Sequence, residues 1–116
     1  MSEKPSEQEL NAVYRARQSE LQSLSSKLSE LERDMDEHIL VIETVKEASE
    51  ADKDRKAFRL IGGILVERTV GEVLPDLMER HDQIKELMDA LTKEYKRKET
   101  EFLDWQKEHK IVVKSR

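Results

Sequence analysis

The stretch that most limits what this chain can fold into is Lys56 to Thr69, KAFRLIGGILVERT. Two apolar, partly β-branched runs meet at Gly62-Gly63. A tight type I′ or II′ turn needs positive φ at its centre, which glycine reaches without strain, so the pattern predicts one β-hairpin. Phe58–Ile61 runs up and Ile64–Glu67 runs down. A two-residue turn sets Ile61 opposite Ile64 and Leu60 opposite Leu65. Phe58, Leu60 and Leu65 then share one face, Ile61, Ile64 and Val66 the other, and both faces read as largely apolar. A lone two-stranded ribbon is marginal in water and leaves unpaired N–H and C=O groups along its edges. The strands that would complete it are not in this sequence, which points to an assembly.

Heptad stripes flank the hairpin. Ser6 and Glu9 fit a capping box, after which Leu10, Tyr14, Arg17, Leu21, Leu24, Leu28, Leu31, Met35, His38, Ile42 and Val45 alternate by four and three. Spacing of this kind, sustained so long, marks a coiled-coil seam. Serines between the leucines (Ser19, Ser23, Ser25, Ser26, Ser29) weaken intrinsic helicity, so the helix needs a partner. Ile39, Leu40, Val41 and Ile42 are apolar all round and predict more than one neighbour at that end. The polar run from about Glu47 to Lys56 reads as helix end and connecting loop.

Thr69 and Glu72 form a second capping box, and Pro75 predicts a kink or restart near Leu74. The second seam is Leu74, Leu77, His81, Ile84, Met88, Leu91, Tyr95, Lys98, Phe102, Trp105 and His109. Two seams of equal count predict a chain folded back about the hairpin, with helices each about 55–60 Å long. That register sets Val45 near Leu74, Met35 near Ile84, Leu28 near Leu91, Tyr14 near Trp105 and His38 near His81. The expected fold is therefore mainly α, a long antiparallel two-helix coiled coil joined by one central hairpin. Its 116 residues form a single domain: helix over about 6–47, hairpin over 56–69, helix over 70–110.

Composition narrows the function classes. Charged residues make up 41% and aromatics 4%, which with heptad periodicity is the profile of long helices rather than of disorder. A net charge of −5 argues against nucleic acid as the main partner. There is no cysteine, hence no thiolate chemistry. The N-terminal MSEKPSEQEL lacks the apolar core of a signal peptide, and no run reaches membrane-span length, so a soluble intracellular protein is expected. Catalysis needs converging groups in a pocket, which this layout does not offer. His38 beside Asp34, Asp36 and Glu37 reads as a seam histidine with solvated acids. Gly62-Gly63 lacks the Lys-Ser/Thr of a phosphate loop. Leu10, Val13, Tyr14, Phe102, Leu103, Trp105, Ile111, Val112 and Val113 gather where the two helices end. They are either the end of the seam, buried by one another, or a partly exposed binding tip, since helix ends fray.

A heptad helix, an apolar hairpin and a second heptad helix, with DEHILVIETVKE (Asp36–Glu47) and RKAFRLIGGILVERTVGEVLP (Arg55–Pro75), resemble the β-class prefoldin subunits in their eukaryotic subunit-2 branch. The resemblance covers most of the chain and is strongest around RLIGGILVERT. It implies a cytoplasmic hexamer of two α-class and four β-class subunits whose hairpins combine into β-barrels. The coiled coils would project from that base and hold non-native proteins, notably actin and tubulin chains, for the group II chaperonin. No ATP, cofactor, metal, membrane or nucleic acid is implied. By position, Phe58, Leu60, Ile61, Gly62, Gly63, Ile64, Leu65 and Val66 would serve subunit assembly, and the residues at the helix ends would contact clients. The rival class is a structural coiled-coil tether in which the hairpin is merely a joint.

Overall fold

The computed structural model describes residues 4–111. Four elements follow in order: α1 (Glu7–Ala51), β1 (Lys56–Ile61), β2 (Ile64–Thr69) and α2 (Val70–Glu108). Both caps form through their hydroxyls. The Glu9 N–H donates to Ser6 Oγ at 3.1 Å, and the Glu72 N–H donates to Thr69 Oγ1 at 3.2 Å. Each satisfies one of the N–H groups that a helix start leaves unpaired.

The helices differ from expectation at two points. α1 does not stop near Glu47 but runs on to Ala51. Ala48, Ser49, Glu50 and Ala51 contain no breaker, and the turn is made only at Asp52, whose Oδ1 accepts the Asp54 N–H at 3.1 Å. α2 is one uninterrupted helix through Pro75, with no restart at Leu74. The carbonyl that the proline ring would crowd, four residues back, belongs to Gly71, whose backbone is the most yielding available.

The chain forms two compact units. The first joins the chain up to Ser29 with the chain from Asp89 onward; the second is Glu30–Met88. In the first, Tyr14 meets Phe102 and Lys98 reaches Glu20, so α1 and α2 run antiparallel. In the second, the His38 Nε2–H donates to the Leu77 carbonyl at 2.6 Å, and one groove is lined jointly by Leu31, Ile84 and Leu87. Here too the helix segments are antiparallel. All eleven seam positions read in α1, and all eleven in α2, are at least partly shielded from solvent. Within the second unit the buried apolar side chains are Leu31, Val70, Val73 and Leu77.

The register departs from expectation by up to about one helical turn. Tyr14 packs on Phe102 at 5.2 Å between centroids, rather than directly on Trp105. His38 is on Leu77 and not on His81, whose Nδ1 lies 3.1 Å from its neighbour Asp82. The two imidazoles line different grooves.

The hairpin has the expected register: Ile61 opposite Ile64, Leu60 opposite Leu65, and onward to Lys56 opposite Thr69. Gly62 and Gly63 have φ of 55° and 81°, the two positive values of a type I′ turn. β2 passes into α2 without a linker. The base of the hairpin is tied down by the Val70 N–H on the Arg55 carbonyl at 2.9 Å and the Gly71 N–H on the Lys53 carbonyl at 3.0 Å. At Gly71 a Cβ would meet that same carbonyl oxygen at 3.1 Å, so a side chain there would push it back by a few tenths of an ångström.

Candidate functional site

Two regions answer to the residues singled out above. The first is the hairpin. Strand alternation divides it into two faces, and they differ more than the sequence implied. One face, Ala57, Arg59, Val66 and Arg68, is half-covered. Its arginines reach α2, where Asp76 Oδ2 accepts from Arg68 Nη2 at 3.3 Å and lies 3.6 Å from Arg59 Nη1. The opposite face is bare: Leu60 is 70% exposed and Leu65 64%, with Phe58 beside them in the open. Ile61 and Ile64, flanking the turn, are exposed as well. The reading of both faces as largely apolar is thus corrected, because the half-covered face carries a guanidinium on each strand. Of the assembly residues read from sequence, Val66 is the half-buried exception; the apolar others and both turn glycines lie in the open.

Neither strand pairs with anything but the other among the described residues, since the sheet has two strands only. Both outer edges therefore keep free hydrogen-bonding groups next to a bare apolar face. That combination is costly in isolation and useful in an assembly. More apolar surface lies in the same unit on the helices, at Ile39, Leu40, Val41 and Met78. Ile39 and Met78, with Ile42, line an open groove rimmed by Glu43, Lys46, His81 and Asp82. Of the four consecutive apolar residues of α1, Ile39, Leu40 and Val41 are thus exposed and Ile42 is half-buried.

The second region lies at the ends of the helices, within the first unit. Phe102 is its packed centre, 7% exposed, between Tyr14 and Trp105, whose ring is 6.1 Å away. His109 closes the row against Trp105 at 5.3 Å. Leu10, Tyr14, Trp105 and Ile111 are half-buried, whereas Val13 and Leu103 are exposed, at 37% and 51%. Val112 and Val113 lie outside the described residues. The set therefore divides. Phe102 belongs to the seam, buried by its neighbours, and the accessible apolar surface is that of Val13 and Leu103.

The charged interruptions of the seam are satisfied where they stand. The Arg17 guanidinium lies over the Trp105 ring at 6.0 Å, within cation–π range. The Lys98 ammonium is hydrogen-bonded to the Glu20 carboxylate, and this bond holds the Glu20 carboxyl below its ordinary value, outweighing desolvation, with the charges of Lys98, Arg17 and Arg97 adding attraction. A carboxyl lowered in the folded state contributes stability above its unfolded value and loses it as pH falls through the folded one. A small destabilisation is therefore expected as pH drops below about 4.5. Thermal melts of the wild type should show it and those of Glu20→Gln should not; identical pH dependence would remove it.

Among the described residues no group of three or more His, Cys, Asp or Glu is placed to hold a metal ion. The one histidine that the sequence set among acids, His38, spends its Nε2–H on a carbonyl. No described helix is long and apolar enough to cross a membrane.

Sequence reasoning missed Val70, Val73 and the Arg59–Asp76–Arg68 cluster. The valines had a signal, since Val70, Val73 and Leu77 continue the second seam backwards through Pro75. The cluster had none, because it joins residues from three elements.

Comparison with known proteins decides the family. The model of the prefoldin subunit family matches residues 8–116, nearly the whole chain. The chain belongs to the prefoldin family. It is 43% identical over 114 residues to the probable prefoldin subunit 2 of Schizosaccharomyces pombe, covering 97% of both chains. It is also 43% identical over 105 residues to prefoldin subunit 2 of Homo sapiens, there covering 90% of this chain and 66% of the human one. Among solved structures, the prefoldin beta subunit from Thermococcus strain KS-1 aligns with a TM-score of 0.45 at 16% identity, over 82% of this chain and 87% of that one.

Proposed function

We propose that this chain acts as the second subunit of a cytoplasmic, ATP-independent co-chaperone built from two α-class and four β-class prefoldin subunits. Its hairpin pairs along both edges with strands of sister subunits, closing a β-barrel over Phe58, Leu60, Ile61, Ile64, Leu65 and Val66, with Gly62 and Gly63 shaping the turn. Barrel closure removes the open edges and covers the apolar face in one step. The observation that carries the reading is that hairpin: correctly formed, fixed at its base, yet bare on one face and unpaired on both edges.

The helix ends would hold non-native proteins of the actin and tubulin class and pass them to the group II chaperonin. Val13 and Leu103 offer the exposed contacts, Leu10, Tyr14, Trp105 and Ile111 the flanking half-buried ones, and Phe102 braces them from behind. Such patches are weak one at a time. Several arms tethered to one base raise the effective concentration and give avidity, while each single contact remains easy to release. Binding and release then need no nucleotide and no chemistry.

The test uses the assembled complex carrying Val13→Ser with Leu103→Ser. Both side chains are exposed, so folding and assembly should be unchanged. Suppression of the aggregation of denatured actin should fall several-fold. Unchanged suppression would remove the client assignment. A wild-type complex that suppresses no aggregation would favour a structural tether instead.

A further inference from the structure

The half-covered face of the hairpin bears on how the bare face is presented. Arg59 on β1 and Arg68 on β2 converge on one oxygen, Asp76 Oδ2 in the second turn of α2, at 3.6 and 3.3 Å. Arg68 is held a second time, its Nε donating to Glu72 Oε2 at 3.2 Å. Arg59 is paired with Val66, and Arg68 with Ala57, so the two guanidiniums are diagonal neighbours on the same face. Like charges so placed repel. A single carboxylate between them offsets the repulsion and ties both strands to one helix.

The base of the hairpin is already fixed by the backbone bonds of Val70 and Gly71. Those bonds hold the ribbon at its base only. The arginines tie it to α2 further out along the strands, where they would oppose rocking about that base. Ion pairs this exposed contribute little to stability, but the flat, forked guanidinium fixes direction well. We propose that Asp76, with Arg59 and Arg68, is a positioning device that sets the angle at which Phe58, Leu60 and Leu65 meet the sister subunits.

The proposal rests on the assembly reading above. It makes Asp76 a determinant of how tightly and with which geometry the subunit joins, although Asp76 lies on the side of the ribbon turned away from the bare face. Because both outer edges must enter neighbouring ladders at once, a rocking ribbon would have to be ordered at each encounter, and ordering on binding weakens association.

The full-length chain is mixed with the other prefoldin subunits of its own source. Assembly is followed by size-exclusion chromatography with light scattering over a dilution series, and the chain alone by far-ultraviolet circular dichroism melts. Asp76→Asn should leave the helical melt in place and weaken assembly about tenfold. Asp76→Glu should recover most of the loss. The triple variant Arg59→Gln, Arg68→Gln, Asp76→Asn, which has neither fork nor repulsion, should remain weak. Wild-type assembly by Asp76→Asn or by the triple variant would overturn the proposal. So would an assembly loss that merely tracks early melting across the series, since the cluster would then be a stability element. A wild-type chain that joins no sister subunit would overturn the assembly reading itself, and this one with it.

Discussion

Replacing Leu60 and Leu65 together by aspartate is expected to abolish entry into the hexamer while leaving the isolated chain as helical as before. The two leucines face each other across the ladder on the bare side of the hairpin. In the free chain they already stand in water, so substitution removes no packing from the folded state. In the assembly they would be covered. Burying a leucine side chain contributes roughly 1.5–3 kcal/mol, so two give about 3–6 kcal/mol. That corresponds to a loss of about 10²–10⁴-fold in affinity, before the added penalty of placing two carboxylates in a dry interface. The readout is the hexamer fraction at micromolar subunit concentration, alongside the helical signal of the chain alone. Undiminished assembly would mean that this face is not the joint. A loss of helicity equal to the loss of assembly would mean that the face is needed by the chain's own fold.

This expectation leans on a part of the molecule whose strands, turn and register were legible in the sequence. Gly-Gly between two apolar runs leaves few backbone solutions, and a two-residue turn fixes every cross-strand pair. The seams were legible for a similar reason: a four-three repeat buries one stripe whatever lies opposite. What lies opposite was harder. Leucine seams are nearly degenerate to a slip of one turn, and the aromatic row that settles the matter, Tyr14 on Phe102 with Trp105 beyond it, depends on ring shape rather than period. Arg59 carried no signal of its own because its partner, Asp76, lies 17 positions on in another element. The family surfaced in RLIGGILVERT, while the division of the helix-end residues into buried and exposed surfaced only in Val13 and Leu103 falling outside the seams.

Phe102 and Leu103 show that division most sharply, and their alanine variants should behave in opposite ways. They are sequence neighbours, both large and apolar, one 7% exposed and the other 51%. Phe102→Ala removes a ring packed against Tyr14 on one side and Trp105 on the other. Truncating a buried phenylalanine typically costs about 3–5 kcal/mol, and aromatic pairs add to the value of their area. The low end of that range is expected, because a two-helix seam can partly close over the gap. Even so, about 3 kcal/mol is a large share of the stability of a small unit. Leu103→Ala leaves an exposed site and should change stability by no more than about 0.5 kcal/mol. Trp105 is the only tryptophan in the chain and sits in the row itself, so its fluorescence in urea reports on this unit. The Phe102→Ala midpoint should fall well below that of the wild type, and the Leu103→Ala midpoint should coincide with it. Client capture should order the two the other way for a given amount of folded protein: Leu103→Ala impaired at full stability, and Phe102→Ala impaired only as far as its helix ends come apart. Equal costs at the two positions would contradict the assignment of one ring to the inside and its neighbour to the client.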